Sequence, residues 1–335
     1  MTPRSLPILA AAALLSTLAA CGGPSNADAV EDDGSVDLSK VSIVVGDQKG
    51  GSQALLKAAG ELDDVPYDIA WKPFTSGPPL LDAVAGGSVD IGGVGNTPPL
   101  FAINEGKKVK VVHAAKQSAE GDAIVVPSGS TVASVAELKG RKVAVAKGSS
   151  ANYNLLAQLD HAGLTLADIE PVYLQPTEGL AAFKGGHVDA WAIWDPFTSQ
   201  AEQLADARVL ATGKELVNGL VFQLASDEAL DDTATEAAIA DYLERLSRAQ
   251  IWTNDHKAEW ADTWAADTGL DPAVTAQAIA RRNFEPIPVG SAVESEQVMW
   301  DAFVEQKQLT AKVELASYFV DTFDATSLAA AKEAS

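Results

Sequence analysis

Four short stretches of this chain return, in the same order, about 100 residues downstream. "KGGS" at 49–52 returns as "KGSS" at 147–150, and Leu55-Leu56 as Leu155-Leu156. Ala59-Gly60 returns as Ala162-Gly163, and "AVAGGSVDI" at 83–91 as "AFKGGHVDA" at 182–190. One such match arises by chance, because Gly-Gly and Leu-Leu are common; four in one order mark a duplicated unit. A strand, a Gly/Ser turn and an amphipathic helix, repeated along a chain, build a layered α/β fold. The repeat therefore predicts two similar α/β lobes.

The local pattern supplies the elements. "VSIVV" (41–45) is strand-like, "QKGGS" is a turn, and Gln53 to Ala59 places Leu55, Leu56 and Ala59 on one helical face before a Gly60 cap. "YDIAWKPF" is the next strand, with "TSGPP" its turn and a helix from Leu80 to Ala85. "VDIGGVG", "KVKVVHAA" (108–115) and, in the second copy, "KVAVA" (142–146) are further strands. Strands alternating with helices predict parallel sheets. After the second lobe, "GLVFQLAS" (219–226) is one more strand, and the remainder is helical. Ile239, Leu243 and Leu246 form one stripe; Trp260 and Trp264 are an i,i+4 pair that reads as core packing. The chain is thus expected to build lobe one from 40–119 and 216–335, with lobe two (120–215) inserted. Two crossings make a hinge with a cleft between the lobes.

In open α/β sheets, ligands sit outside the carboxyl ends of the strands. The helices that follow begin there, with unpaired N–H groups and about half a positive charge. The turns on that side are "QKGGS", "TSGPP", "GNTPP", "KGSS" and "WDPF". Good helix capping explains each one singly. Together they hold no Glu and a single Asp, in a chain with 46 Asp plus Glu against 24 Lys plus Arg. That depletion predicts an anion pocket gripped by main-chain amides rather than by ionised side chains. Three or four termini at about 1–2 kcal/mol each, with hydroxyl donors, approach the roughly 8 kcal/mol of micromolar binding. A gap lined by carboxylates would defeat this account.

The candidate ligand residues are Gln48, Lys49, Gly50, Gly51 and Ser52; Thr75 and Ser76; Gly95, Asn96 and Thr97; and Gly148, Ser149 and Ser150. Lys49 and Lys147 flank the turns and either touch the ligand or face solvent. Trp194 ends the strand "VDAWAIW" on the face of Val188, Ala190 and Ala192, and should reach the cleft mouth, with Trp191 buried on the other face. Asp195, before Pro196, is either an N-cap or an acceptor for a ligand amine. Tyr153, one turn into the lobe-two helix, is placed to line the pocket. No nucleotide motif is present.

The N-terminus adds a location. Arg4 and the apolar run Leu6 to Ala20 make residues 1–20 a secretory signal. "LAAC" (18–21) resembles the lipobox of bacterial lipoproteins, in which the chain is cut before the cysteine and its thiol is lipidated; a cut at an Ala-x-Ala-like site is the alternative. Residues 21–39 lack an apolar period and read as a flexible tether from a lipidated Cys21, spanning roughly 20–25 Å. Cys21 is the only cysteine, so disulfides and thiolate metal sites are excluded, and the four histidines follow no ligand spacing. No metal or cofactor is expected. The acid excess argues against a nucleic-acid partner.

These residues resemble the aliphatic sulfonate-binding lipoproteins of bacterial ABC importers, within the wider nitrate, sulfonate and taurine binding family. The likeness covers most of the mature chain. It is clearest in "GDQKGGSQALLKA", "FTSGPPLLDAVAGGSVDIGGVGNTPPLFA", "VAELKGRKVAVAKGSSANYNLL", "VDAWAIWDPF" and "ARRNFEPIPV". It implies a type II periplasmic-binding-protein fold, with two α/β lobes, a hinge and a helical C-terminal tail. It further implies a monomer, lipid-anchored on the extracytoplasmic face, that closes over an alkanesulfonate and delivers it to an ABC permease for sulfur acquisition. Lys49 to Ser52, Thr75-Ser76, Gly95 to Thr97, Gly148 to Ser150 and Trp194-Asp195 would face the ligand. Arg281-Arg282 also match the pattern, at the pocket or in a surface ion pair. The chain departs from the pattern at Asp47, where an aromatic or small polar residue is expected after "VG".

Taurine, nitrate, another small anion or a thiamine-precursor pyrimidine are the alternative cargoes within that resemblance. An enzyme is the alternative class. Lys147 with Ser149 or Ser150 suggests a Ser-Lys hydrolase, but the serines sit at a helix cap without the longer Gly/Ser run of amidases. The cysteine-rich motif of thiamine-pyrimidine synthases cannot be built from one cysteine. A non-enzymatic binding protein is the reading that follows.

Overall fold

The computed structural model describes residues 26–310 and 312–335; the signal segment and Cys21 lie outside them. The first lobe opens with β1 (Ser42–Gln48), α1 (Ser52–Ala58), β2 (Asp68–Phe74), α2 (Gly77–Ala85), β3 (Ile91–Gly95), α3 (Thr97–Asn104) and β4 (Val109–Gln117). The chain then builds β5 (Ala123–Pro127), β6 (Lys142–Val145), α4 (Ser150–His161), β7 (Glu170–Tyr173), α5 (Pro176–Lys184), β8 (Ala190–Ile193), α6 (Phe197–Leu204) and β9 (Ala207–Thr212). It returns through β10 (Leu220–Ser226), α7 (Asp227–Asp231), α8 (Thr233–Trp252), α9 (Lys257–Thr268), α10 (Pro272–Ala280), β11 (Phe284–Ile287), α11 (Val293–Glu305) and α12 (Asp324–Glu333).

Two sheets result. The six-stranded sheet has the order β11-β4-β10-β3-β1-β2, and the five-stranded sheet β7-β6-β8-β5-β9. Both are mixed rather than wholly parallel. β1 runs parallel to β2 and β3, but β10 is antiparallel to β3 and β4. The reason is topological. A strand returning from the other lobe enters its sheet at the cleft end, so it runs against the strands that finish there. β5, entering the second sheet, is antiparallel to β8 for the same reason.

The two crossings lie side by side. Gln117 N donates to Gly219 O (2.8 Å), and Gly213 N donates to Asp122 O (2.7 Å). Gly219 has φ +64°, and a Cβ there would strike the Gln117 carbonyl, so only glycine allows the two chains this close. One face of the larger sheet is covered by α1, α8 and α9, where Leu56, Ile239, Leu243, Trp260 and Trp264 are buried. A separate apolar cluster joins the lobes: Leu100 of α3, Tyr153 and Leu156 of α4, and Trp300 and Phe303 of α11.

The tether expectation needs correction for residues 26–39. Asn26 Nδ2 donates to Ser42 O (3.1 Å) and to Thr235 Oγ1 (2.8 Å), and Ala29 is buried in the core. This stretch docks through one amide side chain and a few scattered apolar residues, which leave no helical or strand period to read.

Candidate functional site

A cavity of about 150 Å³ lies where the two lobes meet. Lobe one contributes the β1–α1 turn, the ends of β3 and β4, and β10. Lobe two contributes Gly121, Asp122, Ser149, Ser150, Trp194 and Asp195. Leu246, Gln250, Trp260, Arg282 and Phe284 close the remaining wall.

Of the candidates from sequence, Gln48, Lys49, Gly50, Gly51, Ser52, Gly95, Ser149, Ser150, Trp194 and Asp195 line this cavity. The others are placed elsewhere. Thr75 and Ser76 donate their hydroxyls to Gln175 Oε1 (3.2 and 2.9 Å), at the start of α5 across the cleft. Asn96 donates to Asn218 Oδ1 (2.7 Å) beside the hinge and accepts from Thr97 Oγ1 (2.9 Å). Gly148 packs against the Phe101 ring, and Tyr153 turns into the inter-lobe apolar cluster, 5.8 Å from Phe303. Lys147 Nζ sits over the Tyr173 ring. Ser149 Oγ donates to Ala146 O (2.6 Å) and accepts from Asn152 N (3.3 Å), which is the geometry of a helix cap.

The main-chain account of the site is overturned. The Asp47 carboxylate accepts from Ser52 N (2.9 Å) and Gln53 N (3.0 Å), so the amides that open α1 are already taken. The Pro pairs at 78–79 and 98–99 carry no N–H, which removes donors from the first turns of α2 and α3. The glycines approach the chain's own atoms. A Cβ at Gly50 would collide with the Trp264 indole, one at Gly51 with Asp47 Oδ1, and one at Gly95 would press on Ser150 across the cleft. Carboxylates line the gap after all: Asp47, Asp122 and Asp195.

Those charges are not equivalent. Burial pushes the Asp47 carboxyl up to about 6, against the amides that favour its charged form. Burial likewise raises Asp122 to about 6, although the Ser150 hydroxyl (2.8 Å) and the Arg282 charge oppose the shift. Asp195 Oδ1 accepts from Ser199 N (3.0 Å) and Ser199 Oγ (2.6 Å), while Arg281 Nη1 lies 3.6 Å from Oδ2. Arg282 donates to Asp195 O (3.0 Å) and stacks over Trp264, 5.1 Å from the ring. Burial lowers the Arg282 pKa from its usual value, with Asp195 and Asp122 acting to restore it. His113, bonded to Gln250 Oε1 (3.1 Å), is pushed down to about 4 by burial and is neutral near pH 7.

Four cavity-lining residues carry a buried polar atom with no hydrogen-bond partner: the Trp260 Nε1 donor and the acceptors Gln117 Oε1, Asp195 Oδ2 and Gln223 Oε1. With the guanidinium of Arg282 and the start of α4 at Ser150, the cavity presents donors for an anion as well as acceptors for a donor group. Among the described residues no group of histidine, cysteine and carboxylate side chains is arranged to hold a metal.

The sequence leaves Arg282 between pocket and surface ion pair, and Trp260 reads there as core or lobe packing. Asp122 and Gln223 were missed; their only signals were their positions at a lobe crossing and in the returning strand.

Residues 40–268 match the NMT1-like family. The chain belongs to that family. Comparison with an Escherichia coli (strain K12) relative, described as a binding protein for aliphatic sulfonates, gives 35% identity, covering 82% of this chain and 87% of the relative. The solved alkanesulfonate-binding protein SsuA of Xanthomonas axonopodis pv. citri, bound to MOPS, superposes with a TM-score of 0.76 and 36% identity over 83% of this chain and 97% of that one. The periplasmic aliphatic sulphonate binding protein SsuA of Escherichia coli gives a TM-score of 0.73 at 33% identity, over 83% and 92%. The architecture of this family member is the type II periplasmic-binding-protein fold: two α/β lobes, a hinge and C-terminal helices.

Proposed function

We propose that this protein is an extracytoplasmic solute-binding protein that captures an aliphatic sulfonate between its lobes and delivers it to an ABC permease. The observation that carries the reading is the inter-lobe cavity with Arg282, the Trp260 indole N–H and the start of α4 on its walls. It occurs in a chain about a third identical, over most of its length, to sulfonate-binding proteins. A sulfonate spreads one charge over three acceptor oxygens, and those donors suit it. Trp194, half-buried and edge-on to Phe197, supplies apolar surface for the alkyl part. In this reading Cys21 carries the lipid that holds the monomer at the membrane, no cofactor takes part, and the imported sulfonate serves as a sulfur source.

Titration calorimetry with an alkanesulfonate series, taurine, nitrate and sulfate tests the assignment. Each buried methylene contributes about 0.8 kcal/mol, so affinity rises with chain length until the cavity is full. No heat with any sulfonate, together with clear heat from nitrate or a pyrimidine, removes the reading.

A further inference from the structure

We propose that Arg281 is a positioning residue for capture: reaching from lobe one to Glu202 and Asp195 of lobe two, it fastens the closed cleft and sets how slowly a bound guest leaves. This rests on the reading that the guest is held between the lobes, and not on which sulfonate it is.

The clasp joins two helices that belong to different lobes. Ala278 and Ile279 root α10 in the core of lobe one, beside Trp260 and Phe284. Phe197 and Ala201 root α6 in the core of lobe two, with Trp191 and Ile193. Polar side chains cross between them. Glu202 Oε2 accepts from Arg281 Nη2 and from Gln277 Nε2 (2.8 Å), and Gln203 Nε2 donates to Gln277 Oε1. Arg281 also faces Asp195, with Nη1 3.6 Å from Oδ2. One guanidinium thus serves two carboxylates of the other lobe, which its planar fork of donors allows and a point charge does not.

The lobes also meet through the apolar cluster of Leu100, Tyr153 and Phe303. Apolar contacts are non-directional and survive sliding. The hydrogen bonds of the clasp are lost once their partners part beyond about 3.5 Å, so the clasp distinguishes closed lobes from open ones. Arg281 and Glu202 keep 15% and 23% of their side-chain surface in solvent, so opening rehydrates both charges and the clasp is reversible. Asp195 and Arg282 line the cavity; Arg281, Glu202 and Gln277 are not among its lining residues. The clasp grips the cavity wall from behind: Arg281 faces the Asp195 carboxylate, and Arg282 donates to the Asp195 carbonyl (3.0 Å). Its loss leaves the contacts to the guest in place and shifts the balance toward open lobes, which lowers apparent affinity by the fraction of molecules still closed.

The test is stopped-flow tryptophan fluorescence on the full-length protein at pH 7.5 with 1-propanesulfonate. The variants are Arg281→Met, Arg281→Lys, Glu202→Gln and the double variant Arg281→Met with Glu202→Gln. Arg281→Met should raise the off-rate about tenfold and Glu202→Gln several-fold, with on-rates held within about twofold. Arg281→Lys keeps the charge but engages one carboxylate, and should fall between the natural protein and Arg281→Met. The double variant should release its guest no faster than Arg281→Met alone, because both changes break one clasp. Solution scattering without added sulfonate reads the clasp independently of cargo, and both single variants should be more open than the natural protein. Unchanged off-rates, additive effects of the two substitutions, or affinity lost through the on-rate alone would overturn the proposal and leave the sulfonate reading standing. Failure of 1-propanesulfonate to bind the natural protein falls on the sulfonate reading instead; scattering then decides the clasp, which identical shapes overturn.

Discussion

Replacing Glu296 with Gln should make the protein more stable at neutral pH and erase part of its pH dependence. Glu296 lies on α11, fully buried, with Oε1 accepting from Asn218 Nδ2 (2.9 Å) beside the hinge. Its other oxygen has no hydrogen-bond partner. Burial raises its pKa from 4.5 to about 8. The folded protein therefore keeps the proton long after the unfolded chain has released it. The resulting stability is intact below pH 4.5 and falls as pH rises toward 8. At pH 7.5, about three units above the ordinary value, the accumulated loss is about 4 kcal/mol. Gln keeps the shape and the bond from Asn218 but does not titrate. Its extra N–H, left unpaired, costs about 1–3 kcal/mol at every pH. Urea unfolding at pH 5, 6, 7 and 8 should show the variant level with the natural protein or below it at pH 5, then gaining steadily. Asp47, Asp122 and His113 also titrate, but they are common to both proteins and drop out of the difference. Parallel stability curves for the two proteins would refute the reasoning.

Two further outcomes follow from the same geometry, and a third from the proposed lipid anchor. Trp260→Phe removes the unpartnered indole N–H together with part of a buried ring system; sulfonate affinity should fall about tenfold and the melting temperature by several degrees, as read by calorimetry and thermal unfolding. Gln175→Ala removes the acceptor shared by Thr75 and Ser76 and touches no cavity residue, so it should weaken binding several-fold and shift solution scattering of the bound form toward a more open shape. Cys21→Ser should release the protein from membranes into the soluble fraction without altering ligand affinity, as fractionation and calorimetry would show.

Much of the cavity's outline was legible because local rules draw it. Gly/Ser turns after β-branched runs mark strand ends, and strand ends in open sheets face ligands. Five such turns mark the site in the sequence, and residues from all five reach the cavity. The role of those turns was less legible. Helix-start composition suggests exposed amides, yet it is equally the composition of lobes that must close tightly. Gly95 against Ser150, and Thr75 and Ser76 against Gln175, belong to closure. Tyr153 was misplaced because helical spacing gives the face but not its neighbour. That neighbour, Phe303, comes from a helix 150 residues away (303 minus 153).

Sequence alone determined the duplicated α/β units, the crossings between them and the side on which the strands end. These follow from hydrogen-bond periodicity and burial patterns that span fewer than about 20 residues. Tertiary structure alone decided the charge inside the gap. Arg282 reaches the Asp195 carbonyl across 87 positions of chain, and Gln223 reaches Ser52 across 171. A polar group's meaning depends on whether its partner arrives with it into the low dielectric, and no local pattern carries that partner's address.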